Sequence, residues 1–195
     1  MISEISKKIS LFLCRKNIIE HEDIEIYKYG FETICSTIIG FVITLAIGMI
    51  FRMFFLSIAY YIIFVTIRQF TGGYHANSYF KCNLTFAVVT ILVFGFTKMA
   101  VYSQTYTIPN HILFLILSFI VVWQFAPIEN ENKPLDQNQK KLNRRIAIVL
   151  TLVISVLSCA VYIFSVKTSA LMAFTQLSIA VLIVITKLEK RSERR

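Results

Sequence analysis

Charge is scarce in this sequence of 195 residues: Asp, Glu, Lys and Arg supply 16% of it, against 56% hydrophobic residues and a mean hydropathy of +0.68. Soluble domains carry about 25% charged residues, so a soluble fold of this composition would expose more apolar surface than monomers tolerate. Disorder is excluded more firmly, because 17 Phe and 9 Tyr, with abundant Ile, Leu and Val, belong to a packed or lipid-facing chain. The four cysteines, Cys14, Cys35, Cys82 and Cys159, include no C-x-x-C pair, which argues against a membrane thiol oxidoreductase and a compact zinc site. H-E-x-x-H is absent and the three histidines stand apart, so a metal-dependent membrane enzyme has weak support. Clear internal repeats are missing. The first 30 residues hold no apolar core ahead of a small-residue cleavage site, so no cleavable signal peptide is expected.

What is present is a membrane protein. Runs free of Asp, Glu, Lys and Arg cover 33–51, 53–67, 82–97, 99–128, 146–166 and 168–186, with lengths of 19, 15, 16, 30, 21 and 19. A helix needs roughly 20 apolar residues to cross a hydrocarbon core of about 30 Å. The expected architecture is all-α and integral to the membrane: a single domain over 1–195 with six transmembrane helices near 31–51, 53–67, 82–101, 111–126, 146–166 and 168–186. Residues 1–29 form an arm, and 127–145 a basic connection opened by Pro127 and Pro134. In the arm Ile2, Ile5, Ile9, Phe12 and Leu13 follow helical spacing among Lys7, Lys8, Arg15 and Lys16. That pattern suits an N-terminal amphipathic helix on the membrane interface, the alternative being a solvated arm packed on the bundle.

The excess of cations, a formal net charge of +9, reads as orientation and contact with anionic lipid rather than as a nucleic-acid partner. With six spans, 17 of the 20 Lys and Arg fall on the side of the termini, leaving Arg52, Lys98 and Lys167 on the other. Cytoplasmic loops carry such an excess, so both termini are expected in the cytoplasm of a multi-pass cell-membrane protein.

Few polar residues are placed to do chemistry. His21 lies in the acidic patch Glu20–Glu25 and reads as solvated, while His111 opens the fourth span as an interfacial ring. His75 differs, standing seven residues before Cys82 in a segment that begins at Arg68 and contains Gly72-Gly73. A cysteine nucleophile needs a nearby base, usually a histidine, and paired glycines permit a tight turn and close backbone approach. In one continuous helix, positions seven apart stand about 10.5 Å apart along the axis, so a direct dyad requires a bend between Ala76 and Lys81. The two short runs flanking this segment draw it toward the membrane. Glu32, an acid at membrane depth, either orients His75 or caps a helix start through the dipole. Arg68 favours the thiolate, holds a substrate carboxylate, or snorkels to lipid headgroups.

The pattern Arg68-x4-Gly73-x-His75-Ala76-x5-Cys82 closely resembles the AgrB family of Gram-positive quorum-sensing systems. The six-span plan, the N-terminal arm and Ala126-Pro127…Lys133-Pro134 ahead of a basic cluster extend the resemblance over nearly the whole chain. The resemblance implies a membrane cysteine endopeptidase. It would remove the C-terminal part of an AgrD-like propeptide and help convert the remainder to a cyclic thiolactone or lactone autoinducer. Carried over by motif, Cys82 corresponds to the nucleophile and His75 to the general base, with Arg68 and Gly73 at positions important for activity. Glu32 falls where relatives can carry glutamine. The resemblance implies no cofactor or metal, and a homodimer. The rival reading is a peptide transporter without chemistry, for which Gln124 and Gln176 are the best polar candidates. In the basic cluster, Lys140–Arg145 either attract an acidic propeptide tail or serve as a topology determinant.

Overall fold

The computed structural model describes residues 2–72, 79–103, 106–128 and 136–192. Among them the chain is all-helical, without strands: α1 (Ile2–Arg15), α2 (Ile24–Ile50), α3 (Phe54–Thr71), α4 (Tyr79–Tyr102), α5 (Ile108–Phe125), α6 (Gln137–Tyr162) and α7 (Val166–Ser192). Six of the seven, α2 to α7, are long and apolar enough to cross a bilayer, making this a multi-pass membrane protein. In hydrocarbon every backbone polar group must be satisfied within the segment, which is why apolar runs of this length form helices.

α7 is the central helix. It buries 61% of its most apolar window, against 17–28% for the other five spans, and packs on α3, α4, α5 and α6. Its buried face is rich in small residues, Ser169, Ala170, Ala173, Thr175 and Ala180, which let neighbouring backbones approach closely. Around it the core gathers Tyr60, Phe64 and Ile67 of α3, Phe94 of α4, Val122 of α5 and Ala147 of α6. Hydroxyls inside the spans are mostly satisfied within their own helix. Thr44, Thr90, Thr97, Thr151 and Thr175 each donate to the carbonyl four residues earlier, at 2.6–2.9 Å.

α1 lies along α2, with Ser6 and Ser10 buried and Ile5 and Phe12 exposed between its cations. Helix ends depart from the charge-free runs wherever polar residues continue the helix. α2 starts at Ile24, and α3 carries Arg68 inside its last turn. α6 starts at Gln137, so Lys140, Lys141, Arg144 and Arg145 ride on its first turns rather than in a loop. Its start is fixed by a capping box in which Asp136 and Gln139 exchange side-chain and backbone hydrogen bonds.

The end of α3 is tied to the end of α5. The Ile128 N–H donates to the Thr71 carbonyl at 2.9 Å, and Gly72 forms an isolated bridge with Ile128. Gly72 has φ of +67°, and a Cβ there would run into the Ile128 carbonyl oxygen. Only glycine meets both conditions. The close backbone approach expected of the glycine pair is therefore present at Gly72, while Gly73 lies outside the described residues.

Candidate functional site

Four helices meet around a hollow of about 140 Å³. α2 contributes Ser36, Thr37 and Gly40; α3 contributes Tyr61, Phe64, Val65 and Arg68; α4 contributes Cys82, Asn83, Thr85 and Phe86; α7 contributes Leu182. Since these are the early part of α4 and the late part of α3 and α7, beside the middle of α2, the hollow lies toward the end of the bundle that holds α1 and the C-terminus. An apolar cavity of about 150 Å³ accepts a benzene-sized group, so this one has room for one large apolar side chain.

The walls are held by specific contacts. Tyr61 donates its hydroxyl to the Thr37 carbonyl at 2.7 Å, joining α3 to α2. Phe86 packs on Tyr61 and Phe64, with ring centroids 6.1 and 5.1 Å apart. Gly40 leaves the space open: a Cβ there would sit at ordinary contact distance, 3.6 Å from Phe86 and 3.8 Å from Tyr61.

The polar residues gather on one part of this lining. Cys82 is the fourth residue of α4 and half-buried, so its sulfur lies near the positive end of that helix. Arg68 reaches the same hollow from α3, its guanidinium 5.6 Å from the Phe64 ring centroid. Asn83 follows Cys82, and its Oδ1 accepts a hydrogen bond from the Ser36 hydroxyl at 3.2 Å. A thiol, a guanidinium and a primary amide thus border a space with an apolar floor. That combination suits attack on a carbonyl group carried by an apolar chain.

Of the residues singled out in the sequence, Cys82 and Arg68 are brought together here. Glu32 is buried, 8% exposed, on the α2 face that continues through Ser36 to Gly40 at four-residue spacing. It stands eight residues into α2, so the helix-start alternative does not hold; the acid of the first turn is Glu25, ion-paired with Lys28 at 2.9 Å. His75 and Gly73 lie outside the described residues. α4 is helical from Tyr79 onward, so any bend between His75 and Cys82 falls before that residue. Ser36 and Asn83 were not singled out, because neither stands out alone and their pairing spans 47 positions.

A second polar cluster occupies the opposite end of the bundle. His111 is buried there, 1% exposed, rather than an interfacial ring. Its Nδ1 lies 2.7 Å from the Tyr106 hydroxyl, and its Nε2 lies 3.2 and 3.4 Å from the hydroxyls of Ser169 and Ser158. Each serine donates to the other's backbone carbonyl, at 3.1 and 3.0 Å, so their oxygens remain as acceptors for an Nε2–H. The Tyr106 hydroxyl then donates to Nδ1, and Tyr162 donates to the Tyr106 carbonyl at 2.9 Å. Between the two clusters, the Gln176 Oε1 accepts from Ser155 at 2.9 Å, while Gln124 is exposed. His21 is exposed as expected. Among the described residues no group of three His, Cys, Asp or Glu could hold a metal ion.

These features define a polytopic, all-helical membrane protein that holds a thiol at a polar-edged hollow between its spans. The sequence model of the family described as Accessory gene regulator B matches residues 6–187, and the chain belongs to that family. It is 25% identical over 169 residues to Putative AgrB-like protein 2 of Clostridium perfringens (strain 13 / Type A), covering 83% of this chain and 79% of that protein. A Putative AgrB-like protein of C. perfringens (strain SM101 / Type A) is 24% identical over 72% of this chain and 67% of its own length. Accessory gene regulator protein B of Staphylococcus haemolyticus (strain JCSC1435) is 21% identical over 78% and 79%. Membership ties the protein to accessory-gene-regulator quorum sensing. No solved structure matches the chain.

Proposed function

We propose that this protein is a membrane cysteine endopeptidase that processes an AgrD-type propeptide, with Cys82 as nucleophile and His75 as general base. The observation that carries the reading is the half-buried Cys82 on the lining of a 140 Å³ hollow, beside Arg68 and Asn83. Membership of the AgrB family supports it.

In the proposed reaction His75 takes the Cys82 thiol proton and Sγ attacks the scissile carbonyl, giving a tetrahedral oxyanion. The C–N bond breaks, His75 returns the proton to the departing amine, and the C-terminal peptide leaves. The retained part stays on Cys82 as a thioester. A thiol or hydroxyl within the propeptide then attacks that thioester, closing the ring and restoring the Cys82 thiol. The apolar floor of Tyr61, Phe64, Phe86 and Leu182 lowers water access to the thioester, which favours ring closure over hydrolysis. Arg68 stabilises the thiolate or holds a carboxylate of the substrate, and buried Glu32 orients the site from one turn further out on α2. The cation-rich end of the bundle holds the hollow, so the positive-inside rule puts the chemistry on the cytoplasmic side of the cell membrane.

The test is co-expression with the propeptide partner in membranes. A Cys82-dependent adduct that hydroxylamine releases is the expected outcome, and Cys82→Ser should abolish thioester formation and cleavage. Cleavage that persists in both Cys82→Ala and His75→Ala would sink the protease reading. Peptide export that continues unchanged in Cys82→Ser, with no cleavage in wild type, would favour the transporter.

A further inference from the structure

The oxyanion formed when Cys82 attacks a carbonyl needs hydrogen-bond donors aimed at it. We infer that the Asn83 side-chain amide is that donor, fixed in orientation by Ser36 across the α2–α4 contact. The inference rests on Cys82 being the nucleophile.

Three observations carry it. Asn83 lines the same hollow as Cys82 and adjoins it in α4, so a carbonyl carbon bonded to Sγ lies within reach of its side chain. The Ser36 hydroxyl donates to Asn83 Oδ1 at 3.2 Å, which occupies the acceptor end of the amide. A primary amide carries two N–H donors on nitrogen, and among the described residues Nδ2 has no protein partner. Nor is it among the side-chain atoms shut away from the surface without a partner, so it can serve a group that enters the hollow.

Ser36 acts as a positioning residue. Without it the amide can turn, presenting Oδ1 to the developing negative charge, where it would repel. Arg68 borders the same space, but it is the wrong group for this task alone. Its long side chain lies over the Phe64 ring, whereas the short Asn83 side chain is anchored one residue from the attacking sulfur. A donor fixed before the reaction costs no reorganisation when charge develops, and removing one such donor typically slows acyl transfer by about 10²–10³-fold.

The experiment compares two reactions of the same sulfur in the full-length protein in detergent or membranes. Acylation by p-nitrophenyl butyrate passes through a tetrahedral oxyanion, whereas alkylation by iodoacetamide does not. In each case the Cys82-dependent rate is the difference from Cys82→Ala, which removes the contribution of Cys14, Cys35 and Cys159. Asn83→Ala should slow acylation about 10²-fold while alkylation stays within twofold. Ser36→Ala should slow acylation several-fold, and it should add little on top of Asn83→Ala. If both reactions slow together, Asn83 maintains the fold or the thiolate; if neither slows, it contributes nothing. Either result overturns the inference. A wild-type protein with no Cys82-dependent acylation would instead remove the nucleophile reading itself, and Asn83 as its oxyanion donor with it.

Discussion

The two polar clusters at opposite ends of the bundle differ in how far their hydrogen bonds are satisfied. The His111 cluster is closed: both ring nitrogens face hydroxyls, Ser158 and Ser169 are fully buried, and each hydroxyl proton has an acceptor. The hollow at Cys82 is open: the thiol is half-buried, the Asn83 amide nitrogen has no partner among the described residues, and the lining leaves room for a side chain. Satisfied polar groups rigidify a fold, while donors without partners at a cavity wait for a ligand. The difference supports stability as the role of one end of the bundle and the proposed chemistry as the role of the other. A titratable residue inside a membrane span is thus not by itself a functional site; the state of its hydrogen bonds decides.

The comparison breaks most visibly at His111. Replacing it with alanine removes a buried ring and leaves the Tyr106 hydroxyl without its Nδ1 acceptor, and the Tyr162 ring loses its contact at a centroid distance of 5.2 Å. The expected loss is about 3 kcal/mol of stability, read as a lowered midpoint of thermal or denaturant unfolding in detergent. Among molecules that stay folded, Cys82 acylation should be unchanged. A folded His111→Ala protein with normal stability and lost acylation would reverse the assignment of the two ends.

At the other end, Gly72→Ala sharpens the comparison. The left-handed φ costs about 1–2 kcal/mol for a residue with a Cβ, and the clash with the Ile128 carbonyl forces α3 and the end of α5 apart. Because Arg68 sits one turn before Gly72, propeptide cleavage should fall together with stability, in contrast to the His111 variant. Loss of stability without any loss of cleavage would mean that the bridge to Ile128 does not position the hollow.

The six spans were legible because charges cannot enter a bilayer cheaply, so gaps between charges outline them. Helix ends were less so. Arg68 enters α3 because its side chain finds the Phe64 ring, a contact one turn away that a search for charge-free runs treats as a boundary. The start of α6 did carry a readable signal, since Asp136 and Gln139 have capping-box spacing, but the basic residues after it looked like loop. Within the site, Cys82 and Arg68 could be singled out because they are chemically rare in such a sequence. Ser36, Asn83 and Gly40 could not, because common residues become a site only when helices distant in the chain meet. The same reason hid the burial of His111: its partners Ser158 and Ser169 lie 47 and 58 positions away.

The smallest expected effect concerns pH at the closed cluster. Tyr106, in the connection between α4 and α5, is buried, and that burial, reinforced by Tyr162 and Cys159 nearby, pushes its phenol above the ordinary range. Below about pH 10 both folded and unfolded chains hold the phenol proton, and Tyr106 contributes no pH dependence. As pH rises past that value the unfolded chain releases the proton while the folded chain keeps it on the bond to His111. The unfolded state then binds fewer protons, so stability falls with pH, by at most about 1.4 kcal/mol per pH unit from this one group. Tyr106→Phe is less stable at neutral pH because Nδ1 of His111 loses its donor, yet its stability should decline less steeply between pH 9 and 11. Parallel unfolding curves for the two proteins across that range would show that the phenol is open to solvent, and the cluster is then less closed than its hydrogen bonds imply.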